Sequence, residues 1–220
     1  MCIRDRHYHD QEVLNDLYQV AKCELDQALV FVNHNGQLVL QDEWPVFIDW
    51  SQEFDKSTCA QAVLIYALKQ FLFLAAERKD HVEKYQVILE KLVNFSNKYL
   101  FDKAEQLFIS GQNREINIAS QVWMALAKVL PAEKNHKLMS TTLQKLFPIK
   151  EIATPYMYHY IVAALFETDH KKEAIKLIKN YWGNMIKYGA DTFWEAFQPE
   201  KPEFSPYNLS LIHISEPTRP

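Results

Sequence analysis

The stretch Gly189-Ala190-Asp191-Thr192-Phe193-Trp194-Glu195-Ala196-Phe197 sets a carboxylate directly after a tryptophan and between two phenylalanines. A carboxyl held against aromatic walls is tuned for proton transfer, because a poorly solvated site disfavours its charged form. A tryptophan face beside it can pack on the C–H face of a sugar. The plain alternative is a surface loop with a tucked-in indole. The stretch follows a helical pattern that ends near Tyr188, on a connection, where binding and catalytic groups collect.

A second stretch has the same make-up. Asp42-Glu43-Trp44-Pro45-Val46-Phe47-Ile48-Asp49-Trp50-Ser51-Gln52-Glu53-Phe54-Asp55 mixes acids with large rings and lacks helical periodicity. With Arg114 and Glu115 of a third connection, the candidates are Trp44, Asp49, Trp50, Glu53, Asp55, Trp194 and Glu195. Acids among aromatic faces suit a carbohydrate: rings cover its apolar face, and carboxylates bond hydroxyls and move protons. Glycoside hydrolysis needs one carboxyl to protonate the leaving oxygen and a second as base or nucleophile, roughly 6.5–9.5 Å apart when the reaction inverts. Against this stands the ordinary reading, in which loop acids are solvated and loop tryptophans plug the end of the fold.

The elements that must position these loops are helical. Helical spacing predicts a first helix from Asp10 to about Leu29, with Val13, Leu14, Leu17, Val20, Ala21 and Leu25 inward. Phe31 to Leu40 reads as a small hairpin around Asn35-Gly36. Thr58 to Arg78 is apolar nearly all round, with Ser57 or Thr58 as its expected cap, and a helix of that kind is covered on every side. His81 to Tyr99 is one-sided. The alternation repeats: Ile118–Leu130 and the helix opening at Pro155 are apolar throughout, while Pro131–Phe147 and Lys171–Tyr188 are one-sided, the last with Ala174, Ile175, Ile178, Tyr181, Trp182 and Met185 inward.

Inner helix, short turn and outer helix thus recur three times. The short turns, Lys79-Asp80, Pro131-Ala132 and Asp169-His170, lie at one end, and the long connections lie at the other. The expected fold is all-α, a partial (α/α)6 toroid of helical hairpins with a small β-hairpin in a loop and its site at the elaborated end. A solenoid of stacked helix pairs, binding protein partners without catalysis, is the alternative; it would need a fixed period and a recurring consensus, which this sequence lacks.

Composition narrows the classes further. The chain has 220 residues and a formal charge of −4, which offers no basic face for nucleic acid. Cys23 and Cys59 sit in helical patterns and read as buried apolar residues rather than a metal or disulfide pair. The histidines show no metal spacing beyond His7 and His9, and His159 reads as a hydrogen-bonded core residue. No glycine-rich phosphate loop or nucleophile elbow is present, so no metal and no cofactor is expected. No apolar run reads as a membrane span of about 18 residues.

Both termini read as foreign. Met1 to Arg6 matches the translated end of a transposase sequencing adapter, and Leu209 to Pro220 matches the opposite strand of the same adapter. The expected division is therefore 1–6 adapter-derived, 7–208 a partial catalytic domain, and 209–220 adapter-derived. Arg4, Asp5 and Arg6 carry a net +1 and Glu216 with Arg219 carry none, so the natural segment has a charge of −5. The compartment and the oligomeric state stay open.

Tyr181-Trp182-Gly183-Asn184-Met185, followed by Gly189-Ala190-Asp191-Thr192-Phe193-Trp194-Glu195, resembles the helix and catalytic loop of bacterial α-L-rhamnosidases, glycoside hydrolase family 78. Phe47-Ile48-Asp49-Trp50 and Ile118-Ala119-Ser120-Gln121-Val122-Trp123-Met124 resemble the same family, in order and spacing. The resemblance covers His7–Asn208 as the C-terminal part of a six-hairpin domain. It implies that Glu195 is the general base of an inverting hydrolysis of terminal α-L-rhamnosides. It also implies that Trp194, Asp49 and Trp50 line the sugar subsite; Asp55 and Trp44, from the acid-and-aromatic make-up of their connection, are expected as further substrate contacts. The family's general acid would lie upstream of His7 and its downstream histidine motif beyond Asn208, so these residues alone are expected to be inactive. Asp191 stands where the family often has a second threonine, which leaves room for a related glycosidase with another sugar preference.

Overall fold

A helix that is apolar all round persists only where neighbours cover it, and three such helices in this chain cover one another. The computed structural model describes residues 11–41 and 46–199, together with the backbone of Asn208 and Leu209. In chain order the helices are α1 (Gln11–Leu29), α2 (Ser57–Glu77), α3 (Glu83–Phe95, continued by a π turn over Ser96–Leu100), α4 (Ile118–Leu126), α5 (Ala132–Lys145), α6 (Pro155–Glu167) and α7 (Lys171–Lys187). Two antiparallel pairs are added: β1 (Phe101–Asp102) with β2 (Leu107–Phe108), and β3 (Phe193–Trp194) with β4 (Asn208–Leu209).

Helix α4 packs between α2 and α6, forming an inner row. α3, α5 and α7 each pack on the inner helix before them, and α1 packs on α2. This is the expected partial toroid: three hairpins preceded by one further outer helix. The core is continuous across the row, from Ile65 and Leu68 through Val122 and Met124 to Ile161 and Leu165, all buried.

Each inner helix begins on a polar side chain and ends in a left-handed residue. Asn117 accepts from the Ser120 amide at 2.8 Å, and Thr154 accepts from Met157 at 3.1 Å with Pro155 in the first turn. At α2 neither Ser57 nor Thr58 is the cap. Lys56 occupies that position, and the Asp55 carboxylate, one residue earlier, accepts the Ser57 amide at 2.9 Å. At the far ends, Lys79, Lys128 and Asp169 have φ of 54°, 50° and 64°. The next amides, Asp80, Val129 and His170, reach back to Ala75, Met124 and Leu165 at 3.0, 3.2 and 2.8 Å. All three are Schellman closures, a position that favours glycine. Lys79→Gly is therefore expected to raise stability by a few tenths to about 1 kcal/mol, the relief of left-handed strain less the added freedom of the unfolded chain, as read from the urea midpoint.

The structure corrects several expectations. On α1 the inward stripe is Leu14, Tyr18, Ala21, Leu25 and Ala28, while Leu17 and Val20 are exposed. Tyr18 enters the interface because its hydroxyl finds Asp80 at 2.8 Å, a polar satisfaction that hydropathy spacing does not register. Ile175 and Ile178 are exposed because α7 packs chiefly on α6, which covers only one of its faces. Cys23 is exposed; Cys59 is buried as expected, and both are free thiols. His159 is exposed on α6, edge-on to Tyr160. Helix α2 is long and apolar enough to pass for a membrane span by length and composition, yet half of that window is buried within the fold.

Candidate active site

The long connections meet at the N-terminal ends of the inner helices, and the start of α6 is where two of them are tied. Asp49 is 0% exposed. One of its oxygens accepts the amides of Ser51 and Ala153, each at 2.8 Å; the other accepts the Thr154 amide at 3.0 Å and the Thr154 hydroxyl. Four donors surround the carboxylate, so the side chain expected at a sugar lies beneath the surface and joins loop 46–56 to α6. Its neighbour Trp50 is 53% exposed.

Trp50 heads a continuous aromatic strip. Its ring meets Phe47 edge-on at 5.4 Å, Phe47 meets Tyr156 at 5.8 Å, Tyr156 meets Tyr160 at 5.0 Å, and Tyr160 meets Trp123 at 4.3 Å. Trp123 is core, as its inner helix implied, whereas Phe47 and Tyr156 present half their surface. Tyr156 was not a sequence candidate. The signal that could have singled it out is its place one residue after Pro155, in the exposed first turn of a helix whose remaining faces are apolar.

The loop of Glu195 arrives at the same point. Gly189, with φ of 94°, closes α7, and the Ala190 amide reaches back to Met185 at 3.1 Å. Two residues beyond Glu195, the buried Phe197 donates its amide to the Ala153 carbonyl at 2.8 Å. The Phe197 carbonyl accepts the Tyr181 hydroxyl of α7 at 2.8 Å. Trp194 leans edge-on against Phe197 at 5.6 Å. Its backbone pairs with Asn208, while Phe193 pairs with Leu209. Glu195 itself is partly exposed, and among the described residues no hydrogen bond or ion pair engages its carboxylate.

The other acids divide by task. Asp55 sits in a separate knot between α2 and α4. Burial alone would raise its carboxyl, but hydrogen bonds from Ser110 and Ser57 outweigh that and hold it below the ordinary carboxylate range. Glu115 accepts the Asp55 amide at 3.1 Å and the Asn117 side chain at 2.9 Å, and Gly111 packs so close that a Cβ there would stand 2.5 Å from an Asp55 oxygen. Asp55 therefore braces two inner helices. Arg114 pairs with Asp102 at 2.7 Å. Glu53 stays exposed and, with Lys150, Glu151 and Gln198, lines an open cavity of about 530 Å³. Glu151, on the short connection before α6, is pushed above the usual carboxylate range by desolvation and by repulsion from Glu115 and Glu53. Trp44 lies outside the described residues.

Comparison with known proteins agrees with this layout. The family model for the bacterial α-L-rhamnosidase six-hairpin glycosidase domain matches residues 5–215. A rhamnosidase from Klebsiella oxytoca, solved with rhamnose bound, superposes with a TM-score of 0.83 at 36% identity, covering 94% of this chain and 40% of that one. The GH78 family rhamnosidase of Bacillus sp. GL1 shares the fold, with a TM-score of 0.73 at 20% identity, over 86% of this chain and 21% of the other. This chain thus spans about 40% of the length of the Klebsiella protein. No curated protein matches at a significant level. With nearly its whole length matched and its hairpins in the same arrangement, the chain belongs to the bacterial α-L-rhamnosidase six-hairpin glycosidase domain family.

Proposed function

We propose that these hairpins carry the base side of a glycosidase site that removes terminal α-L-rhamnose with inversion. The observation that carries the reading is the shared anchorage at the start of α6. The loop of Glu195 and the loop of Trp50 are both tied at Ala153–Thr154, next to the exposed ring of Tyr156. A carboxylate with no partner among the described residues, on a loop anchored next to rings that can cover a sugar's apolar face, is equipped to take a proton from water as it attacks the anomeric carbon. Glu195 is that base in this reading, and Trp194 and Trp50 are walls of the sugar subsite. The likeness to a rhamnosidase that holds rhamnose supports rhamnose as the sugar.

The proton donor to the leaving oxygen is placed on the part of the six-hairpin ring that these three hairpins do not form. Accordingly, the 220-residue chain alone is expected to leave p-nitrophenyl α-L-rhamnoside intact. An enzyme that completes the ring is expected to release β-L-rhamnose first, as followed by proton NMR of the anomeric signal. Turnover by the chain alone would overturn the placement of the acid, and initial release of the α-anomer would overturn the base role of Glu195.

A further inference from the structure

We infer that Asp49 is a positioning residue for Glu195, fixing the base through the backbone of Ala153 rather than touching sugar. The inference rests on the reading of Glu195 as base. Both backbone groups of Ala153 are engaged in one relay: its amide donates to Asp49 at 2.8 Å, and its carbonyl accepts the Phe197 amide at 2.8 Å. Every member is buried, with Ala153 at 1% exposure and Asp49 and Phe197 at 0%. The relay therefore has no water to replace a lost partner, and an unpaired group within it costs the full desolvation penalty.

Thr154 strengthens the arrangement. Its hydroxyl donates to Asp49 and accepts from the Met157 amide, so the carboxylate also orients the cap of α6. A negative charge at that helix end is favoured by the exposed amides there. On the other side, Tyr181 holds the Phe197 carbonyl from α7. The segment after Glu195 is thereby gripped from two helices, and Glu195 follows wherever Phe197 is held. A sugar ligand in place of these contacts would have to displace four donors from Asp49.

General-base geometry is sensitive to shifts of this size: a misplacement of about 1 Å costs on the order of 10²-fold in rate. Asn at position 49 preserves the shape, but its amide nitrogen cannot accept from Thr154. The test is Asp49→Asn, with amide hydrogen exchange on the 220-residue chain and kinetics in an enzyme that completes the ring. Exchange at Phe197 is expected to speed by roughly 10-fold or more, while kcat falls by about 10–100-fold and KM holds. Unchanged exchange at Phe197 overturns the inference, as does a raised KM with kcat intact, which is the mark of a lost sugar contact. Should Asp49→Asn fail to fold, Thr154→Ala removes one of the four donors to Asp49, together with the cap acceptor for Met157, and is expected to accelerate the same amide by a smaller factor; no acceleration overturns the inference. Glu195→Gln separates the two readings. It should abolish turnover with Phe197 exchange untouched, and if turnover survives, the base assignment falls while the exchange data still judge the relay.

Discussion

Glu195→Gln is expected to lower turnover of an aryl α-L-rhamnoside by about 10²–10⁴-fold in an enzyme that completes the ring, with the melting temperature unchanged. The substitution keeps size and shape and removes only the ability to take a proton. Among the described residues the Glu195 carboxylate holds no partner, so no structural bond is lost with the charge. Trp194 and Phe197, the residues that seat the loop, are untouched. Azide needs no base to attack, so adding it should restore cleavage and yield the β-rhamnosyl azide. Turnover within a few-fold of the parent enzyme would remove Glu195 from the mechanism.

The second large effect concerns the scaffold. Gln121→Leu is expected to destabilise the chain by about 3 kcal/mol, measured as a shift of the urea midpoint at constant slope. Gln121 is fully buried on α4. Its side-chain oxygen accepts the Phe108 amide at 2.7 Å, and its nitrogen donates to the carbonyls of Phe108 and Asn117 at 2.8 and 2.9 Å. Leucine fills the volume and leaves the amide and carbonyl of Phe108 facing an apolar wall, while the Asn117 carbonyl keeps its intrahelical bond at the start of α4. Each such buried group costs on the order of 1–3 kcal/mol, partly offset by the gain in apolar contact. An unshifted midpoint would mean that the β1–β2 hairpin does not depend on this stitch.

The hairpin architecture could be read from the chain because inner and outer helices differ in hydropathy pattern, and that pattern reports directly how many sides are covered. What the pattern hides is polar. Tyr18 and Gln61 point inward on bonds to Asp80 and to the 31–38 turn, and no apolar spacing announces them. The closures of the inner helices recur, but Lys79, Lys128 and Asp169 occupy the left-handed positions where glycine would have flagged the repeat. At the site, Glu195 and Trp50 stood out because acids beside rings are uncommon on connections. Asp49 and Asp55 looked the same in sequence and turned out to be braces, Asp49 buried and Asp55 partly so, since residue type does not tell a carboxylate that meets solvent from one that meets protein donors. Tyr156 was missed because an exposed ring on a largely apolar helix leaves no trace in periodicity.

The two buried glutamines give the elaborated end a division of labour. Gln61 clasps the 31–38 turn to α2, and Gln121 clasps the β1–β2 hairpin to α4, each through a single side chain on its own helix. The two are held separately from each other, the 31–38 turn packing also on Lys91 and the β1–β2 hairpin bound also by the Arg114–Asp102 and Lys145–Glu105 ion pairs. The loops bearing Trp50 and Glu195 have no such independence, because both converge on Ala153. A change in either clasped hairpin is therefore local, while a change at Ala153 reaches the Trp50 loop and the Glu195 loop together.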